Sequence, residues 1–122
     1  MNNNHPSTLL KEIKNFENNI SLTVSLFTNK INTELAQVVI DKSRAIQNCI
    51  KRSKNQTNED DYMDYIFKAL KACYDIEVGL SISDNIAPEE ERFVDIVRYE
   101  LKNLKKRICL EMEQPSFITV SK

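Results

Sequence analysis

The sequence contains very little glycine and proline: 1 glycine and 3 prolines among 122 residues. Sheets and barrels need a tight turn every several residues, and glycine and proline usually supply those turns. Because a chain this poor in both has few tight turns, the composition predicts an all-α protein. The length corresponds to about one domain, which is large enough to bury a single hydrophobic core.

Segments that would take the chain to or across a membrane are also missing. The longest apolar run is far shorter than the ~18 residues that a transmembrane helix needs. The N-terminal residues MNNNHPST have neither the basic start nor the apolar stretch of a signal peptide. Cys49, Cys73 and Cys109 are widely spaced with no CxxC pair, so we expect reduced thiols. These absences predict a cytoplasmic protein with no membrane partner.

The residue types that carry most catalytic chemistry are scarce or badly placed. The only histidine, His5, lies in the N-terminal segment, where no serine or cysteine partner is expected. One glycine cannot build a glycine-rich phosphate-binding loop. Asp61, Asp64 and the run Glu89–Glu91 could offer carboxylates to magnesium, but both groups fit the acidic start of a helix. We therefore predict no enzymatic activity, no cofactor and no metal site.

Apolar residues in the first half of the chain repeat at the spacing of one helix face. They are Leu9, Ile13, Phe16, Ile20, Val24, Phe27, Ile31, Leu35, Val38, Ile46 and Ile50. The segment NISLTVSLF alternates like a strand, but the helical spacing runs through it into both flanks, so we favour helix. One helix over residues 8–54 would be ~70 Å long. That is too long for a compact monomer, so we place a break near Asn29–Asn32.

Charge marks the next helix junction, in the segment IKRSKNQTNEDDYMDYIF at residues 50–67. Basic residues precede acidic ones there, and cations stabilise helix C-termini while anions stabilise N-termini. This change from basic to acidic residues, which we call the charge flip, therefore predicts that a second helix ends here and that a third begins near residue 59. Gly79 is a plausible C-cap for the third helix. Pro88 suits the first position of a fourth helix, and Pro115 would stop it.

The fold prediction is an antiparallel bundle of about four helices in a single domain. Residues 1–6 and 115–122 are expected to be flexible tails. The alternative is one long kinked first helix with two shorter helices packed on it.

The third predicted helix carries more apolar surface than contact with one core requires. Its charged positions form a single narrow stripe, made by Asp64, Lys68, Lys71 and Asp75. A helix that packs on one core needs an apolar arc of little more than ~100°, and exposed apolar patches usually mark contact surfaces. Four tyrosine and methionine side chains are the predicted partner contacts: Tyr62, Met63, Tyr65 and Tyr74. The partner could be a second copy or another protein, or the helix could simply be the most central one of the bundle.

Basic residues suggest a second candidate surface. In an up-down-up-down bundle the second and fourth helices end at the same pole. That pole would collect Lys51, Arg52, Lys54, Lys105, Lys106 and Arg107. Such a cluster could bind phosphates, although acidic residues begin the third helix at the same end and no aromatic residue is interleaved for base stacking.

The functional prediction is thus a non-enzymatic cytoplasmic adaptor or regulatory subunit. It would act through protein–protein contact and self-association. The alternative is a weak nucleic-acid-binding accessory protein that uses the basic pole.

Overall fold

The computed structural model describes residues 6–27, 29–82 and 88–115. These residues form four α-helices and no strand: α1 (Pro6–Leu26), α2 (Thr33–Ser53), α3 (Glu59–Ile82) and α4 (Pro88–Glu113). Each helix packs against the next one in the chain, and α4 also packs against α1. The four helices therefore close into a bundle. The all-α bundle prediction is confirmed, and the alternative with one long first helix is wrong.

Two asparagines make the turn between α1 and α2. Asn29 has a positive φ of 70°, a conformation that asparagine tolerates better than most residues. Asn32 caps α2, because its side-chain oxygen accepts hydrogen bonds from the backbone N–H groups of Glu34 at 2.7 Å and Leu35 at 3.3 Å. The predicted break is confirmed, and it needs no glycine. The strand reading of NISLTVSLF is wrong, since α1 runs through this segment to Leu26.

The charge flip marks the junction of α2 and α3, as predicted. Lys51 and Arg52 lie in the last turn of α2, and residues 59–61 are the acidic first turn of α3. Asn58 and Asp61 are joined by two hydrogen bonds, and each residue is the donor in one and the acceptor in the other. The Asp61 backbone N–H donates to the Asn58 side chain at 2.8 Å, and the Asn58 amide donates to the Asp61 carboxylate at 2.9 Å. Local capping chemistry thus accounts for this stretch.

Contacts between helices fix the antiparallel register. Glu12 on α1 pairs with Arg107 on α4 at 2.6 Å, and seven residues later Asn19 donates to Glu100 at 3.3 Å. Moving forward along α1 therefore means moving backward along α4. At the opposite pole, the backbone N–H of Asn32 donates to the Glu90 carboxylate at 2.6 Å, which joins the start of α2 to the start of α4.

The core receives one face from every helix. Ile13, Ile46, Ile66 and Leu101, one from each helix, have no solvent exposure. The rings of Phe27 and Phe93 meet edge to face at a centroid distance of 5.9 Å and extend this core toward the α1–α2 turn. Burial of such faces is the main favourable contribution to the stability of a bundle.

The helix α3 does not end at Gly79, so the predicted C-cap is wrong. The helix continues to Ile82, and Gly79 does not adopt a positive φ. Leu80 is buried in the core at 2% exposure, and this burial carries the helix past the glycine. A Cβ atom built on Gly79 would lie 3.6 Å from Cγ1 of Val38 on α2, which is an ordinary van der Waals contact.

The predicted tails at 1–6 and 115–122 lie mostly outside the described residues. The exceptions are Pro6, with which α1 begins, and Pro115, which follows α4 by two positions. Within the described residues, no helix has the length and apolar character needed to cross a bilayer.

We expect Gly79→Ala to stabilise the protein by about 0.5–1 kcal/mol, because alanine has the higher helix propensity and its Cβ fits beside Val38. The free energy of unfolding from urea denaturation measures this change. A loss of stability would contradict the helical placement of Gly79, since alanine would be strained in a left-handed C-cap.

Candidate functional site

The outward side of α3 carries three large apolar side chains that its own chain leaves uncovered. Phe67, Tyr74 and Val78 are 57%, 50% and 58% exposed. Their spacing of seven and four residues places them on one line along the helix. We call these three residues the outer α3 stripe. Lys71, whose side chain is 73% exposed, lies between Phe67 and Tyr74 on this line. Large apolar side chains exposed on one helix face are typical of protein contact surfaces.

The four side chains predicted to contact a partner are divided between this stripe and the interior. Tyr74 belongs to the outer α3 stripe. Met63 is half-buried against the core, and Tyr65 is half-buried with the Lys68 ammonium 4.7 Å from its ring centroid. Tyr62 is 1% exposed and is not available to a partner. The assignment of Tyr62 to a contact surface is therefore wrong, because this residue lies on the core side of α3.

Sequence reasoning missed Phe67 and Val78, although a usable signal was present. Both residues lie in the wide apolar arc of α3, on the side away from the core residues Ile66, Cys73 and Ile76. Choosing tyrosine and methionine by residue type overlooked this position on the helix. A helical projection with the most apolar face turned toward the core would have placed Phe67 and Val78 on the solvent side.

A groove of about 370 Å³ lies beside Tyr74 along the outer side of α4. Its lining combines apolar and charged side chains and consists of Tyr74, Lys102, Lys105, Lys106, Cys109, Leu110 and Glu113. The Lys105 ammonium lies 2.6 Å from the Glu77 carboxylate and 4.8 Å from the Tyr74 ring centroid. The hydrogen bond to Glu77 raises the pKa of Lys105, so this lysine stays charged but paired. Lys102 and Lys106 form no ion pair within the described residues.

The outer α3 stripe is also bordered by ion pairs within α3. Lys68 lies 3.4 Å from Asp64, and Lys71 lies 3.5 Å from Asp75. These pairs are exposed, and exposed pairs contribute only about 0–1 kcal/mol each. Ion pairs with a partner could therefore replace these pairs at little cost in free energy.

The six cations of the predicted basic pole do not form one surface. Lys51, Arg52 and Lys54 are exposed where α2 ends. Lys105 instead contacts Glu77 on α3, and Arg107 contacts Glu12 on α1 at 2.6 Å. Residues two positions apart point to nearly opposite sides of a helix. Two of the six charges are thus directed to different neighbouring helices and are paired there.

A buried polar cluster lies at the pole where α3 begins. The Tyr62 hydroxyl donates a hydrogen bond to Glu111, which has no solvent exposure. Arg107 Nη1 lies 3.9 Å from the same carboxylate, and its Nε lies 2.6 Å from Glu12. Burial and the bond to Glu111 raise the pKa of Tyr62, so its hydroxyl remains a donor. The cluster links α1, α3 and α4, and it gives Glu111 a structural role.

Cys49 and Cys73 are not activated as nucleophiles. Burial raises the pKa of Cys73 to about 12, and burial also raises the pKa of Cys49. A reactive cysteine needs a lowered pKa. Within residues 6–27, 29–82 and 88–115 there is also no group of three histidine, cysteine or carboxylate side chains that could hold a metal ion.

Comparison with protein-family models, with curated proteins and with solved structures found no significant match to this chain.

We expect Tyr62→Phe to lower the free energy of unfolding by about 1–3 kcal/mol, because it removes a hydrogen bond from a buried carboxylate. The matched control is Tyr99→Phe on the exposed side of α4, for which we expect less than about 0.5 kcal/mol. Urea denaturation measures both. Equal effects of the two substitutions would argue against the Tyr62–Glu111 bond.

We expect Cys73 to react far more slowly than the half-buried Cys109 with iodoacetamide at pH 8. With a pKa of about 12, only about one Cys73 in ten thousand would be a thiolate at that pH. Mass spectrometry of the alkylated peptides gives the two rates, and labelling in denaturant provides the control. Equal rates in the native protein would contradict the burial of Cys73.

Proposed function

We propose that this protein is a non-enzymatic adaptor or regulatory subunit that binds another protein through the outer α3 stripe. The observation that carries the proposal is the exposure of Phe67, Tyr74 and Val78 on one line of a helix whose opposite face is in the core. Covering such a partly exposed side chain contributes roughly 1 kcal/mol. The stripe would supply the centre of the contact, and the adjoining groove would extend it.

The charges around the stripe support a partner with acidic side chains next to apolar ones. Lys102 and Lys106 border the groove with no ion pair among the described residues. Lys68 and Lys71 on α3 are paired with Asp64 and Asp75, so they add no net charge. Charge complementarity of this kind increases the rate of association and makes binding sensitive to salt. Tyr74 and Leu110 would accept the apolar side chains between these charges.

The proposal is tested by photo-crosslinking in the protein's own cells. A photoreactive amino acid at position 67 should form an adduct with a partner protein, whereas the same amino acid at the exposed position 48 on α2 should not. Mass spectrometry identifies the adduct. The absence of any adduct specific to position 67 would contradict the proposed contact surface.

With that partner purified, we expect Phe67→Glu to weaken binding by about 10- to 100-fold, because it replaces an apolar contact residue with a charge. The control Asn48→Glu adds the same charge on α2, at another exposed position, and should leave affinity unchanged. Isothermal calorimetry measures both. Circular dichroism should show intact helices in each variant, since both residues are exposed. Unchanged affinity for Phe67→Glu would overturn the assignment.

A further inference from the structure

A second exposed apolar surface lies along the seam of α1 and α4, on a different pair of helices from the outer α3 stripe. Leu22 and Leu26 on α1 are 62% and 69% exposed, and Ile96 and Tyr99 on α4 are 38% and 65% exposed. We call these four residues the α1–α4 patch. None of them was among the contact residues predicted from the sequence.

The register of the bundle brings these side chains to one stretch of the seam. Asn19 donates to Glu100 across it at 3.3 Å. Leu22 and Leu26 lie about one and two helical turns after Asn19, and Ile96 lies about one turn before Glu100. Because α1 and α4 are antiparallel, a step forward from Asn19 along α1 and a step backward from Glu100 along α4 lead toward the same end of the bundle. The patch therefore spans both helices instead of lying on one.

The α1 side of this patch has no charge. Residues 18–29 contain no lysine, arginine, aspartate or glutamate in a chain that is 29% charged. The exposed neighbours of the leucines are the small polar residues Asn18, Ser21 and Ser25. On α4, four charged residues lie three or four positions from Ile96 or Tyr99, and they include two of each sign: Arg92, Asp95, Glu100 and Lys102.

This charge pattern favours a second copy of the chain as the molecule that covers the α1–α4 patch. In a two-fold symmetric contact the same patch is present on both subunits, so like charges near its centre would face each other. The uncharged α1 side avoids this repulsion, and Arg92 of one subunit could face Glu100 of the other. The groove beside Tyr74 is different, because Lys102 and Lys106 in its lining would be brought together if it faced a copy of itself.

We infer that this protein forms a two-fold dimer through the α1–α4 patch, with a second copy of the chain as the occupant. This arrangement leaves the outer α3 stripe of each subunit free. The dimer would therefore be bivalent, which is an arrangement suited to an adaptor. The inference does not depend on the proposed partner of α3.

The size of the patch indicates that the dimer is weak. Residues 18–26, the helical part of this segment, span ~13.5 Å of α1. Two adjacent helices are ~20 Å wide, which gives roughly 270 Å² per subunit. A standard stable interface covers about 800 Å² per partner. We therefore expect a dissociation constant in the micromolar range, with little dependence on salt because few charges take part.

The test is the oligomeric state of the full chain by sedimentation velocity and light scattering, from low to high micromolar concentration. We expect a monomer–dimer equilibrium that salt barely changes. Leu26→Glu should weaken it at least tenfold, and Phe67→Glu should leave it unchanged. Both residues are more than half exposed, so both variants should fold. Circular dichroism and melting temperature check this, and Leu22→Glu gives a second, independent variant of the patch.

Three results would overturn the inference. A monomer at all concentrations excludes the dimer. Association that survives both Leu26→Glu and Leu22→Glu uses another surface. Association lost in Phe67→Glu but kept in Leu26→Glu assigns self-contact to α3. None of these results changes whether position 67 crosslinks to a partner, so failure of this inference and failure of the proposed function are distinguishable.

Discussion

The shared core, to which each of four helices contributes one face, is the constraint on which the rest of this structure depends. Only one line along each helix can point inward, and that line holds residues such as Ile13, Ile46, Ile66 and Leu101. Several large apolar residues outside these lines remain partly or mostly exposed. In α3 they form the outer α3 stripe, and along α1 and α4 they form the α1–α4 patch. Both candidate surfaces thus follow from an excess of apolar positions over what one small core can cover.

The buried cluster around Glu111 is the polar counterpart of this core. A carboxylate with no solvent exposure would be very unfavourable without partners. Here the Tyr62 hydroxyl donates to it, and Arg107 brings a positive charge to 3.9 Å while also pairing with Glu12. Residues from α1, α3 and α4 must be in register for these contacts to form. We regard the cluster as a determinant of which helices meet at this pole, not as a catalytic group.

The two exposed apolar surfaces differ in the charge around them, and this difference underlies both proposals. Lysines border the groove beside the outer α3 stripe, which favours an acidic partner, whereas the α1 side of the other patch is neutral and suits contact with its own copy. Placed on different helices, the surfaces could be used at the same time. An adaptor needs this property, because it must hold a partner without giving up its own assembly.

The sequence by itself determined the fold class and most of the helix boundaries. The asparagines at 29–32, the charge flip at 50–61 and Pro88 act through groups close to them in the chain, so their effects can be read locally. The tertiary structure decided the rest. Gly79 remains helical because Leu80 beyond it is buried, and Tyr62 points inward while Phe67 points outward because the core fixes the rotation of α3. That rotation depends on the two helices that pack against α3, which are α2 and α4. An apolar arc as wide as that of α3 is compatible with several rotations until those neighbours are in place.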